Sequence, residues 1–364
     1  MKRNAIFVKF GSVYVRKNSL LEILRALLKF QTVLYKPRYA GCEDTFIIHV
    51  YRVKDRFLSV LLTLISIFRH ITNNTNRLLL PDVGTLAIPL RAGGCKIFDF
   101  QRGIVTAYGI HIQSVRGWVL ASKYNPTMLR VIENDLVFCE QIVTGKRPHG
   151  VEPFYKAISL MLQLSPAKRI CSSTYVDSLF KGLRRKRQIL GRGYEKIFDS
   201  ICLSIRHLYS EVRHCQPEHI VLVLSHGDIN SNNLIISKSG GPLGLIDWET
   251  ASMRSIGFEV YSLHLQKLSR QSIPRKKICT SIKKHFLLLS EYGESAFFLD
   301  NFLDLSDTKF GRFIFYMEYV NLKLKVASQD NPENQSRRIV SISERLQKFL
   351  ELESFYSDIN YLGP

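Results

Sequence analysis

Three polar residues stand out by type and spacing: Asp228, Asn233 and Asp247, within the stretch VLVLSHGDINSNNLIISKSGGPLGLIDWE at residues 221–249. Carboxylate and amide oxygens are hard donors, of the kind a Mg²⁺ ion takes alongside phosphate oxygens. A carboxylate can also orient a hydroxyl and accept its proton. For the three to act together, the chain between them must fold back, and the pattern provides for this. Residues 220–224 read as an apolar strand ending at Ser225, and residues 234–236 as a short β-branched strand. Ser239-Gly240-Gly241-Pro242 is turn chemistry, and residues 243–246 form a second short strand with Asp247 at its end. Taken singly, Asp228, Asn230, Asn232 and Asn233 have another use as turn formers. Their joint order and spacing favour chemistry.

His226-Gly227-Asp228, then Asn233, then Ile246-Asp247-Trp248-Glu249 spell H-G-D-x-x-x-x-N followed by I-D-W-E. This resembles the aminoglycoside phosphotransferase and choline kinase family, relatives of the protein kinases, whose own elements are H-R-D-x-x-x-x-N and D-F-G. The resemblance implies a protein-kinase-like fold and phosphoryl transfer from ATP or GTP to an alcohol group. It implies Asp228 as the catalytic base, Asn233 and Asp247 as Mg²⁺ ligands, and His226 as a residue that structures the loop. Gly227 stands where regulated protein kinases carry the loop arginine, which pairs with a phosphorylated activation loop. Its replacement points to a constitutive kinase of small molecules. Ser255-Ile256-Gly257-Phe258-Glu259-Val260 resembles the family's G-x-P-x-x-D-L segment, with Glu259 in place of the aspartate that ties the loop to the next helix.

One expected part is out of place. GGCKIFDF, QRG and IVTAYG at residues 93–109 read as a hairpin like the family's nucleotide hairpin, with Asp99 and Arg102 flanking the turn as nucleotide-facing or merely solvent-facing charges. The phosphate-binding lysine should follow near Thr106 or Ala107, and neither is a lysine. Lys123, in the strand-like run WVLASKY, is the preferred substitute, with Lys96 as the other. Its partner is expected on a helix over residues 126–143, where Glu133 and Glu140 lie seven apart; Glu133 is preferred.

The elements around these residues follow from composition and periodicity. With 364 residues and 46% hydrophobic content, the chain can build two domains or a two-lobed fold around a sizeable core. Its net charge is 51 − 31 = +20, which suits anionic partners: nucleotide phosphates, nucleic acid or an anionic membrane. Residues 1–95 hold fifteen Lys/Arg and five Asp/Glu, so half the excess lies in about a quarter of the chain. Seven scattered cysteines, with no C-x-x-C, suit a reducing compartment in which most thiols are buried. The amino-terminal stretch lacks the apolar core of a signal peptide. Residues 57–71 are apolar but too short to span a bilayer; they fit a buried helix or one lying on an anionic membrane. The run KGLRRKRQILGR at 181–192 carries six Lys/Arg without interleaved aromatics, so a solvated helix face is expected and a nucleic-acid partner is not. Residues 260–356 are helical in pattern. Glu318 there could meet a cationic acceptor or simply pack.

The resulting expectation is an α+β, protein-kinase-like two-lobed fold: a basic extension at 1–85, a small β-rich lobe at 86–148, and a mainly helical lobe at 149–364 containing the loop at 225–249. The expected activity moves the γ-phosphate of a nucleotide to a hydroxyl of a small molecule or saccharide, in the cytoplasm or on the inner face of the membrane. Two alternatives stand beside it: a catalytically weak, nucleotide-binding regulatory protein, and a charge-driven module for membrane or nucleic acid.

Overall fold

The computed structural model describes residues 4–10, 13–16, 77–81, 84, 86–89, 94–99, 101–108, 120–121, 129–132, 137–141, 148–165, 167–190, 193–231, 233–236, 244–246, 248–265, 274–292, 307–328 and 332–361. The chain divides into two compact units, Met1–Pro148 with Ile235–Glu249, and His149–Leu234 with Thr250–Pro364. The fold class is the α+β one expected, with β structure concentrated in the first unit and helices in the second.

The first unit holds an antiparallel eight-stranded sheet. Its strands are β1 (Asn4–Phe10), β2 (Val13–Arg16), β3 (Arg77–Pro81), β4 (Leu86–Pro89), β5 (Cys95–Asp99), β6 (Ile104–Tyr108), β7 (Leu129–Ile132) and β8 (Val137–Gln141), in the order β3-β1-β2-β4-β5-β6-β8-β7. Strand β2 pairs with β4 through Tyr14↔Ala87 and Val15↔Leu86, so strands from the basic segment and from residues 86–148 share one sheet. The hairpin expected at 93–109 is β5–β6, in the register Lys96↔Ala107, Ile97↔Thr106 and Phe98↔Val105. Its turn is closed locally. Asp99 Oδ1 accepts from the backbone N–H groups of Gln101 and Arg102 at 3.1 and 3.0 Å, and Gly103 takes the positive φ of 68° that such a turn requires. Asp99 and Arg102 are therefore turn charges, paired with each other at 3.7 Å.

Two expectations for this unit are corrected. The helix expected over 126–143 is instead the β7–β8 hairpin, and Glu140 stands on β8 opposite Val105 and Leu129. Leu-Arg-Val-Ile and Val-Phe-Cys are β-branched and aromatic runs that fit a pleated surface, and pairing with β6 overrides the helical spacing of the glutamates. In the run WVLASKY, Leu120 and Ala121 are helical rather than extended. Residues 57–71 and Cys42 lie outside the described residues.

The second unit follows the helical reading more closely. Its helices are α1 (Glu152–Leu164), α2 (Ser172–Leu190), α3 (Glu195–Val212), α4 (Phe258–Leu265), α5 (Arg275–Tyr292), α6 (Lys309–Ala327) and α7 (Pro332–Tyr361). Three strands, β9 (Lys168–Cys171), β10 (His219–Ser225) and β13 (Ser252–Ser255), form a sheet in the order β13-β10-β9. Helix α6 is apolar on nearly every face and accordingly buried along its length, with Phe313, Phe315, Tyr316 and Tyr319 at its centre. Phe349 of α7 packs on three of these rings, 4.9–5.9 Å between centroids. Helix α2 carries the basic run at 181–190, and of its lysines and arginines Lys186 is turned inward, donating to Asn321 Oδ1 at 2.8 Å. Burial lowers its ammonium to about 8.

Of the six described cysteines, all free, Cys95 and Cys279 are buried, Cys139 and Cys202 half-buried, and Cys171 and Cys215 exposed. Burial is thus less general among the thiols than the sequence suggests. No helix among the described residues is long and apolar enough to cross a membrane.

Candidate active site

Strand β10 delivers the polar loop. Its burial is nearly continuous from Ile220 to Ser225, because β9 and β13 flank it and helices cover it. Beyond Ser225 the chain must turn, and Gly227 permits this with φ of +83°. Asp228 follows, half-buried, and the backbone then tightens: the Asn233 and Leu234 N–H groups both donate to Asn230 O at 3.1 Å. Two short strands, β11 (Leu234–Ile235) and β12 (Gly244–Leu245), pair as a two-stranded sheet, as the hairpin reading requires.

Within the loop, Asn233 Nδ2 donates to Asp228 O at 2.9 Å and to Asp228 Oδ2 at 3.2 Å. Asn230 Nδ2 donates to the same backbone oxygen at 3.0 Å. The NH₂ group of Asn233 is thus committed to Asp228, which leaves its amide oxygen as the atom suited to a hard cation. His226 is fully buried. Its Nδ1 accepts from the Asp228 N–H at 3.3 Å, and its backbone oxygen accepts from Thr250 Oγ1 at 2.7 Å. Both contacts join the loop to its own backbone and to Thr250.

Glu259, at the start of α4, reaches the loop from below. Its Oε1 accepts from Ser225 Oγ at 2.7 Å and from Gly227 N–H at 2.6 Å. The longer side chain of glutamate therefore makes the loop-to-helix tie for which an aspartate was expected. Its Oε2 is buried without a hydrogen-bond partner among the described residues.

A residue that the motif does not mention completes the floor. Arg254 of β13 is 6% exposed, and its Nη1 donates to Ser225 Oγ at 2.8 Å while Nη2 donates to Thr250 O at 2.6 Å. Its guanidinium lies 4.7 Å from the Phe258 ring centroid. Burial lowers its pKa, opposed by the charges of Glu259 and Glu318. The sequence holds one hint of this residue: an arginine inside a short run of small and apolar residues, between I-D-W-E and the buried helix α4.

Glu318 belongs to the core and not to an acceptor pocket. Tyr175 OH and Ser255 N–H donate to its Oε1 and Ser255 Oγ to its Oε2, each at 2.6 Å, and only 3% of the residue is exposed. Burial raises its pKa, partly offset by those same hydrogen bonds.

Asp247, Lys123 and Glu133 lie outside the described residues. The flanks of Asp247 are placed: Trp248 is buried, and its indole N–H donates to Leu245 O at 3.0 Å. No group of three or more His, Cys, Asp or Glu side chains able to hold a metal occurs among the described residues. An Asn–Asp pair is not such a group.

Residues 185–275 match a family model. The match is to the phosphotransferase enzyme family. This phosphotransferase-family segment is about a quarter of the chain, and it contains His226, Asp228, Asn233, Asp247, Arg254 and Glu259. The resemblance read from the motif is thereby shown. No curated protein matches the chain. Among solved structures it is similar to an ethanolamine kinase from Plasmodium vivax, at 13% identity over 71% of this chain and 80% of that one, with a TM-score of 0.46. It is also similar to a glucosamine kinase in complex with glucosamine, ADP and inorganic phosphate, at 11% identity over 73% and 81%, with a TM-score of 0.43. A spectinomycin phosphotransferase in complex with ADP and spectinomycin matches at 13% identity over 73% and 89%, with a TM-score of 0.42.

Proposed function

We propose that this protein transfers the γ-phosphoryl group of ATP or GTP to a hydroxyl of a small molecule or saccharide. The observation that carries this reading is the Asp228 carboxylate held 3.2 Å from the Asn233 amide, on a buried-floor loop inside the phosphotransferase-family segment. Phosphoryl transfer asks a protein mainly for positioning and charge neutralisation. Asp228 orients the acceptor hydroxyl and takes its proton as the oxygen bonds to the γ-phosphorus. The bond from that phosphorus to the bridging oxygen breaks, and the nucleoside diphosphate leaves. Asn233 holds Asp228 in register through its NH₂ group and presents its oxygen to a cation. With Asp247 it would hold Mg²⁺, which when bound offsets the charge of the nucleotide phosphates. Seven scattered cysteines with no C-x-x-C fit a reducing, cytoplasmic setting.

The phosphate-binding lysine has two candidates. Lys123 with Glu133 is the pair preferred from the sequence. Lys96 is favoured by register: it stands directly opposite Ala107, one of the two positions near which the lysine is expected, so the two side chains leave the same face about 5 Å apart at Cβ. Thr106 and Ala107 themselves are buried. That departure also favours a second reading, a protein that holds nucleotide but turns it over weakly.

Thermal unfolding with and without Mg²⁺–ATP and Mg²⁺–GTP tests the proposal. A ligand at a hundredfold excess over its Kd stabilises by about 2.7 kcal/mol. A metal-dependent rise that vanishes in Asp247→Ala supports the nucleotide site, and phosphate transfer in a hydroxyl-acceptor screen that vanishes in Asp228→Asn supports the activity. No rise with either nucleotide refutes the kinase reading. A rise without transfer to any acceptor leaves the weak, regulatory reading. The rise in Lys96→Met and Lys123→Met identifies the lysine, since the variant lacking it loses most of the shift.

A further inference from the structure

The loop residue before Asp228 is glycine, yet a guanidinium occupies the space its side chain would fill. A Cβ on Gly227 would meet Arg254 Nη1 at 2.7 Å and Thr250 O at 2.9 Å. Register explains how the arginine arrives there. Strand β13 runs antiparallel to β10, with Ser252 opposite Ser225 and Arg254 opposite Val223. Val223, Ser225, Ser252 and Arg254 therefore share one face, and Arg254 reaches diagonally to Ser225.

We propose that Arg254 is the positioning residue of this loop, holding Asp228 in its working orientation from within the core so that no modification is needed to set it. This rests on the phosphotransferase reading of the same site. The contacts run as one chain. Arg254 donates to Ser225 Oγ at 2.8 Å, Ser225 Oγ donates to Glu259 Oε1 at 2.7 Å, and the same oxygen receives the Gly227 N–H at 2.6 Å. The other arm of Arg254 fixes Thr250 O at 2.6 Å, and Thr250 Oγ1 fixes His226 O at 2.7 Å. Three consecutive residues before Asp228 are thus pinned, on Ser225 Oγ, His226 O and Gly227 N. The anchor is itself anchored, since Ser255, the next residue on β13, gives its N–H and hydroxyl to Glu318. Every partner is an internal hydroxyl, backbone group or buried carboxylate, so the arrangement is built during folding. The planar fork matters as much as the charge: the two arms take two acceptors in different directions, which a lysine ammonium cannot reproduce from one point.

The test pairs hydrogen exchange with steady-state kinetics on the full chain, for the parent, Arg254→Lys and the milder Ser225→Ala. The expected result is amide exchange at residues 227–233 at least tenfold faster in both variants, with residues 220–224 of β10 unchanged. In the same variants kcat falls tenfold or more, while KM for the nucleotide stays within about twofold. A merely structural role would instead raise exchange across β10 and α6 and leave kcat of the folded protein intact. Unchanged exchange at 227–233 overturns the proposal, as does faster exchange with unchanged kcat. If Arg254→Lys does not fold, Ser225→Ala decides by the same two criteria. If the parent transfers no phosphate to any acceptor, the phosphotransferase reading fails on its own account, and the exchange data still decide whether Arg254 holds the loop.

Discussion

Arg254 and Arg312 are both buried in the helical unit, and they are satisfied in opposite ways. Arg312, on α6, has its charge met directly. Its Nε and Nη2 donate to the two carboxylate oxygens of Glu353 at 2.6 and 3.1 Å, and its Nη1 donates to Asp307 Oδ1 at 2.7 Å. Tyr316 OH adds a bond to Glu353 at 2.6 Å, and the guanidinium lies 3.8 Å from the Tyr356 ring centroid. Burial works against this cation, but the Glu353 bonds and charges outweigh it and raise its pKa. Arg254 donates instead to a hydroxyl and a backbone carbonyl, its carboxylates act at one remove, and burial wins, lowering its pKa. The first arrangement clamps α6 to α7. The second gives up charge compensation and gains a hold on the backbone leading to Asp228. A buried arginine paired with carboxylates secures a core, whereas one spent on loop atoms secures a geometry.

Substitutions on the two sides of this contrast should differ in what they cost. The largest effect is expected from Asp228→Asn. Loss of a general base lowers kcat by about 10²–10⁴, equivalent to about 3–5 kcal/mol of barrier. The thermal midpoint should stay within about two degrees, because the residue is half-buried and the Asn233 contact to its backbone oxygen persists. A drop in stability matching the drop in turnover would contradict the assignment.

Next comes Arg312→Leu. Removing one partner of a buried ion pair costs about 3–5 kcal/mol, because the carboxylates left behind stay desolvated. Urea unfolding should show this loss, while turnover per folded molecule remains near that of the parent. The double variant Arg312→Leu with Glu353→Leu should recover part of it. A double variant no better than the single would show that the cluster is held by packing alone.

Gly227→Ala acts on the Arg254 side. A methyl group would sit 2.7 Å from Arg254 Nη1 on a backbone at φ +83°, a strain of about 1–3 kcal/mol. Turnover should fall further than stability does. Equal loss in both would mean that the glycine serves folding only.

The smallest effect concerns Glu318, which locks β13 to α6. Its folded pKa is raised from the ordinary 4.5 by burial. Over the window above 4.5 the folded state therefore binds more protons than the unfolded chain, and stability falls as pH rises through it. Glu318→Gln removes that slope, so the parent should lose ground to the variant as pH rises above 4.5. A pH-independent difference between the two would refute the assignment.

Much of the site was legible because its residues are close in sequence. Spacing alone places Asp228 and Asn233 on one loop, and turn chemistry alone forms the β5–β6 hairpin. The helical pattern of the second half survives because α3 presents an apolar face at helical spacing and α6 is apolar nearly all round, so the packing that buries them agrees with the local pattern. The misreadings share a different cause. Residues 129–141 have side chains compatible with either period, and pairing with β6 made them strands.

Local chemistry is written in the chain: a carboxylate and an amide five residues apart, on a loop that a glycine lets turn. What holds that loop is set by long-range packing. Arg254 follows Ser225 by 29 residues, and nothing in their spacing links them. The antiparallel register of β10 and β13 puts them on one face, and the missing Cβ of Gly227 makes room for the guanidinium. The fate of Glu318 was settled in the same way: burial and the hydroxyls of Tyr175 and Ser255, far from it in sequence, took both its oxygens into the core.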